Sequence, residues 1–195
     1  MTLSLQNASL AEAMPRGSVA IFDILAESVR ENVGYLLMTV LVPSGDAPFL
    51  MRVFSTNQEQ YPLGTADPVE DSIWFRRLFS QGEAIIANDA EAIEAWLPGF
   101  DAYVAQGYGS LANVPIVISG TTIGLVNLMD ERGHYTAERI AALRQELPLA
   151  ALAILAGRMQ PVDRERKAAG SGSSAGQSAD GAGRSGFQAM PSAAR

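Results

Sequence analysis

The chain holds 195 residues and a formal net charge of -7, from 14 basic and 21 acidic side chains. That length suffices for one domain with a sizeable core, and the absence of cysteine excludes disulfides, thiolate metal sites and cysteine-based catalysis. Residues 161–195 carry five basic and three acidic groups, a net of +2, which leaves -9 on the body before them. An acidic body argues against nucleic acid, whose phosphates supply most of the affinity in such complexes, and against an anionic membrane surface.

The first 15 residues contain no basic side chain and no long apolar run, so no signal peptide is expected. No stretch approaches ~18 consecutive apolar residues, so no bilayer-spanning segment is expected either. These features together give the expectation of a cytoplasmic protein.

Residues 1–17 are mixed, punctuated by Pro15 and Gly17, and are expected to be loosely ordered. Ser18 stands where an N-cap belongs, and Ile21, Leu25 and Val29 recur every four residues, predicting a helix over 18–32 that Gly34 ends. Leu36–Val42 and Phe49–Ser55 read as strands joined at Pro43-Ser44-Gly45-Asp46. Residues 57–69 are rich in turn formers. A short helix over Ser72–Gln81 stopped by Gly82, a strand at Ala84–Ala87 and a helix at Ala90–Trp96 ended by Pro98-Gly99 follow. The interval 56–109 is long and irregular, and such ordered segments usually carry function.

Val114–Ile118 and Ile123–Met129 are apolar on nearly every residue and are joined by Ser119-Gly120-Thr121-Thr122, the pattern of a central hairpin covered on both faces. Pro115 must sit at a bulge, a strand end or a gap, and Gly124 predicts close backbone approach by a helix or a ligand. Thr136 is placed to cap a last helix, with Glu138 in its first turn. Ile140, Leu143, Leu147, Ala151 and Ile154 form its packing stripe, and Pro148 should kink or break it near Arg144–Leu147. From Pro161 the chain is Gly, Ser, Ala and Arg with one aromatic, Phe187, a composition that cannot offset ordering entropy. Residues 159–195 are therefore expected to be a flexible tail.

The order Arg52-Val-Phe-Ser-Thr, Tyr61-Pro-Leu-Gly, Trp74, Gly82-Glu-Ala-Ile-Ile and Asn113-Val-Pro-Ile, closing in Gly120-Thr-Thr-Ile-Gly-Leu-Val-Asn-Leu, resembles a GAF domain over roughly Ser18–Arg158. The resemblance implies an α/β (α+β) fold: a central antiparallel sheet, terminal helices on one face, and a loop and short-helix roof over a small-ligand pocket on the other. It implies a sensor, often dimeric, with no particular ligand, because function lives in the site rather than the fold.

Seven residues are candidate ligand contacts. Arg52 lies in a strand between Met51 and Val53, where an arginine needs an acidic partner, an anionic ligand or an exit to water. Ser55 completes a GAF-like Arg-x-x-Ser pattern, although residues 52 and 55 point to opposite faces unless the strand bends. Tyr61, Trp74, Tyr103 and Tyr108 bracket the roof, with flat apolar rings and one polar tip each, suited either to a pocket wall or to gluing loops onto a sheet. Asn113 precedes Val-Pro-Ile on the strand that the resemblance places beside the pocket, and a buried amide there must be bonded to a ligand or to the roof. For Asn127, a structural bond to a loop is expected.

His134, the one histidine, reads as a turn residue and cannot by itself make a zinc site. The acidic groups Asp67, Glu70 and Asp71, and Asp89, Glu91 and Glu94, lack calcium-loop spacing and read as solvated surface. No metal or cofactor is expected.

Cysteine-dependent sulfoxide reduction and bilin attachment, both found in GAF-like proteins, need a residue this chain lacks. The Asn-Lys pattern of cyclic-nucleotide binders is absent too, since Lys167 is the single lysine. The expectation is a non-catalytic small-molecule sensor, a homodimer through its terminal helices, that acts on a separate partner protein. The alternative is a degenerate dimerising scaffold with a filled pocket.

Overall fold

The protein's structure, a computed structural model, describes residues 3–44, 49–68, 72–97 and 101–159. Helix α1 (Leu3–Ala13) and a 3-10 turn at Met14–Arg16 lead into α2 (Ser18–Asn32). Strands β1 (Leu37–Ser44) and β2 (Phe49–Ser55) follow, then β3 (Ala66–Pro68) and a short helix α3 (Ile73–Phe75) that runs into a π-helical turn, Arg76–Ser80. Next come β4 (Ile85–Ala87), α4 (Ala90–Trp96), α5 (Asp101–Val104), β5 (Ser110–Ile118), β6 (Thr121–Asp130) and α6 (Ala137–Met159).

Among the described residues six strands form one antiparallel sheet in the order β3-β2-β1-β6-β5-β4. The apolar β5–β6 hairpin sits inside it, as its two-sided hydrophobicity requires. One face, carrying Met38, Val40, Val114, Val126 and Leu128, packs on α2 and α6 through Ile21, Leu25, Val29, Leu143, Ala150 and Ile154. The other face meets α3, α4 and the loops between residues 56 and 109, in two apolar groups.

At Gly124 helix α6 lies tight against the sheet. A Cβ there would lie 2.6 Å from Ile154 Cδ1 and 3.0 Å from the Leu41 carbonyl oxygen, so the close neighbour predicted from sequence is a helix. Glu146 is buried between α6 and α2, where it accepts from Ser28 Oγ at 2.8 Å and from Asn32 Nδ2 at 3.1 Å. Gly34, at φ +85°, ends α2 with its N–H on the Val29 carbonyl, as expected of a C′ glycine.

Three expectations are corrected. Residues 1–17 were expected to be loose, yet Leu3–Ala13 is helical and Ala13, 2 % exposed, is part of the helix-side core. Ser18 is the first helical residue, with Gly17 before it in the cap position and no side-chain cap bond. Pro148 does not break α6, which runs unbroken to Met159. Both Pro148 and Arg144 are exposed, so water can satisfy the Arg144 carbonyl that proline leaves without its helical donor. Helix α6 is long and apolar enough by length and composition to cross a membrane, and its buried residues face α2 and the sheet as those of a core helix do. Gly45-Asp46, Pro98-Gly99, the side chains of Asp67, Glu70 and Asp71, and the segment 160–195 lie outside the described residues.

Candidate functional site

Strand register on the roof face sets the geometry. Thr39 pairs with Asn127, Asn127 with Asn113, and Thr39 on its other side with Ser55. Directly opposed residues share a face, so Asn113, Asn127, Thr39 and Ser55 form a polar row running across four strands. Leu37, Met129, Leu111 and Ala87 form the apolar row on one side of it, and Leu41 and Leu125 lie on the other.

The row is buried apart from the half-buried Asn127, and its hydrogen bonds run in one direction. Asn113, Thr39 and Ser55 are each buried. The Trp74 indole nitrogen, which can only donate, gives its proton to Asn113 Oδ1 at 3.0 Å. Asn113 Nδ2 then donates to Asn127 Oδ1 at 2.7 Å, and Asn127 Nδ2 donates to Thr39 Oγ1 at 3.3 Å. Each amide nitrogen carries two protons and uses one of them in this chain, so the row holds further donors.

A bulge brings Ser55 into the row. Val40 opposes Phe54 but Leu41 opposes Arg52, so Val53 is an extra residue on β2. Phe54 accordingly stacks on Phe22 on the helix side, with centroids 5.2 Å apart, while Arg52 and Ser55 both face the roof. The opposite-faces expectation for these two residues is corrected by that extra residue.

Arg52 is gripped by the loop that follows β2. Its backbone N–H donates to the Thr65 carbonyl, and its carbonyl accepts from Gly64, which takes φ +74°. Its Nη1 donates to the Pro62 carbonyl at 3.1 Å and to Thr65 Oγ1 at 2.7 Å, and its guanidinium lies 5.7 Å from the centre of the Tyr61 ring. The Tyr61-Pro-Leu-Gly segment is thus a collar around a buried arginine.

Tyr61 stacks on Tyr103 with centroids 6.5 Å apart, Tyr103 packs on Tyr108 at 6.4 Å, and Tyr61 donates to Gln106 Oε1. Burial pushes the Tyr61 phenol above its ordinary range, with the neighbouring Tyr103 and Tyr108 adding to the rise. Burial raises Tyr108 as well. Trp74 is set by Ser72, whose hydroxyl accepts the Phe75 N–H as an N-cap, and by the π turn after it.

Residues 18–155 match the GAF domain family. The chain belongs to that family. Among solved structures it is similar to the GAF domain of a two-component sensor histidine kinase from Bacillus halodurans, with 14 % identity over 71 % of this chain and 94 % of that one and a TM-score of 0.56. It is likewise similar to residues 122 to 287 of a methyl-accepting chemotaxis protein, with 17 % identity, 80 % and 98 % coverage and a TM-score of 0.59. A third similar structure is a type II free methionine-R-sulfoxide reductase from Thermoplasma acidophilum, with 16 % identity, 73 % and 92 % coverage and a TM-score of 0.52. At these identities the likeness is one of fold. No curated protein matches the sequence.

In this GAF domain the seven candidate residues fall into two groups. Ser55 and Asn113 belong to the polar row and Trp74 donates to it from the roof, whereas Arg52, Tyr61, Tyr103 and Tyr108 form the collar and aromatic wall beside it. Thr39 and Gln106 belong to these groups and were not among the candidates, because neither stands out until register and loop path are known. Asn127, expected to bond a loop, bonds two strands instead. Nor is His134 an isolated turn residue. Its Nε2 lies 3.0 Å from the Val33 carbonyl and 3.4 Å from Asp130 Oδ2, and Arg139 lies against its ring, so it ties the end of α2 to the end of β6. Among the described residues no three metal-ligating side chains converge.

Proposed function

We propose that this GAF domain is a non-catalytic, cytoplasmic sensor of a small molecule that binds at the roof face of the sheet. The family is commonly regulatory in signalling proteins. The observation that carries the reading is the buried polar row, with donors to spare, set between two apolar groups and covered by short, irregular elements. A ligand that takes the Trp74 position on Asn113 would move the roof. Asn127 and Thr39 lie on β6 and β1, whose other face carries α2 and α6, so the change reaches the terminal helices through two strands. These helices would form the homodimer and the contact with a separate partner protein. The shift is as large as the difference in ligand affinity between the two states and no larger.

One observation favours the second reading, a dimerising scaffold: each side chain of the row already has a partner within the protein. Native mass spectrometry of the gently purified chain, followed by the same sample denatured, separates the two. A discrete excess mass that is lost on denaturation supports the sensor. Purified chain that carries no extra mass, and gains none from a cell metabolite extract, supports the scaffold.

A further inference from the structure

A cleft of about 410 Å³ opens between the start of α4, the segment after α5 and the turn that follows β6. It lies apart from the polar row, since Tyr108 in its wall precedes Asn113 by five residues of extended chain, roughly 16 Å. Asp89 and Glu91 bring two carboxylates to it, and Arg132, from a different element, brings a guanidinium. The Tyr108 ring and Val104 supply apolar surface. Asp89 Oδ1 is committed to the Ala92 N–H at 2.8 Å, which leaves Oδ2 available, and neither Glu91 nor Arg132 has an ion-pair partner among the described residues.

The walls are held in place by the main chain. Gly133 donates to the Asn88 carbonyl at 2.9 Å, and the Asn88 side chain both accepts the Tyr135 N–H and donates to the Tyr135 carbonyl. Gly109 donates to the Asp130 carbonyl at 2.8 Å, and Ser110 Oγ to the Glu131 carbonyl at 2.7 Å. A Cβ at residue 109 would come within 2.7 Å of the Arg132 backbone nitrogen, so the two segments touch through a glycine. The backbone segments that carry the carboxylates and the guanidinium are therefore tied together before anything binds.

Opposite charges that line one small cleft without pairing define what suits it. A simple anion meets Asp89 and Glu91, and a simple cation meets Arg132; a molecule that carries both charges a few ångströms apart satisfies all three. The volume is near the lower end for small-molecule sites, and the apolar surface gives a side chain somewhere to go. We propose that this cleft binds a free α-amino acid with an apolar side chain, its carboxylate on Arg132 and its ammonium on Asp89 and Glu91.

The test is a nitrogen–proton NMR titration of the full chain with L-leucine and L-methionine, and separately with N-acetyl-L-leucine and L-leucinamide, each of which lacks one charge. The expected result is a saturable shift of the Gly107, Gly109 and Arg132 amides with the two zwitterions. Each capped derivative should bind about tenfold more weakly, as should L-leucine to Arg132→Gln and to Glu91→Gln, both changes at exposed side chains. No saturable shift at these amides up to ~10 mM amino acid overturns the proposal. So does equal saturation by the capped forms. These amides report the cleft, while the Trp74 indole and Asn113 side-chain amide signals report the row, so either reading can fail while the other stands.

Discussion

The Trp74 indole donates to Asn113 Oδ1 at 3.0 Å and so ties a short roof helix to the middle of the sheet. Trp74→Phe keeps most of the packing but leaves a buried amide oxygen without its donor. The expected loss is about 1–3 kcal/mol of unfolding free energy, read from urea denaturation. A loss within ±0.3 kcal/mol would mean that the roof finds another donor and that the bond does not organise the site.

Gly124 has no room for a side chain. Gly124→Ala should destabilise by about 1–3 kcal/mol, because its Cβ meets the Leu41 carbonyl as well as the flexible end of Ile154. Adding Ile154→Val removes the nearer clash, and the double variant should recover part of the loss in a double-mutant cycle. Strict additivity would show that α6 does not press on the sheet at this point.

Glu146 is a carboxylate buried between helices with Ser28 and Asn32 as partners. Glu146→Ala removes an acceptor from both and should lower stability by about 1–3 kcal/mol, measured by thermal or chemical denaturation. Glu146→Gln retains an acceptor oxygen and should lose less.

Tyr135 is 2 % exposed, and its hydroxyl has no hydrogen-bond partner among the described residues. Burial, with the nearby Asp130 charge adding to it, pushes the phenol far above its ordinary value. In the unfolded chain a tyrosine ionises near pH 10, while in the fold Tyr135 keeps its proton, so the folded state binds more protons above that pH. Stability contributed by this group is complete below about pH 10 and falls as the pH rises beyond it. Tyr135→Phe should raise stability at pH 7 by about 1 kcal/mol and flatten the decline between pH 10 and 11, read from urea midpoints across that range. A lower midpoint at pH 7 would show that the hydroxyl has a partner.

Periodicity made the main helices and strands legible, because α2, the β1–β2 pair, the β5–β6 hairpin and α6 each repeat their apolar residues over many positions. Gly124 was legible too, since glycine inside an apolar strand has few other reasons to be there. The polar row was not. Asn113 stood out as an amide in an apolar run, but Thr39 and Ser55 join it only through pairing between strands far apart in sequence. The extra residue at Val53 leaves no local mark, because its effect is to change which residue faces which. Nor did the sequence show that α1 would be ordered, since what holds Ala13 is α2 and the core around it rather than any pattern within residues 3–13.

Helices α2 and α6 run antiparallel, and their outer ends meet: a Cβ at Gly157 would sit 3.4 Å from the Ser18 side chain, just as Glu146 meets Ser28 further along. The chain therefore enters α2 and leaves α6 through the same doorway, with α1, whose Ala13 is in the core, as the threshold on the entry side. A twist of one of these helices against the other would be felt on both sides of that doorway at once.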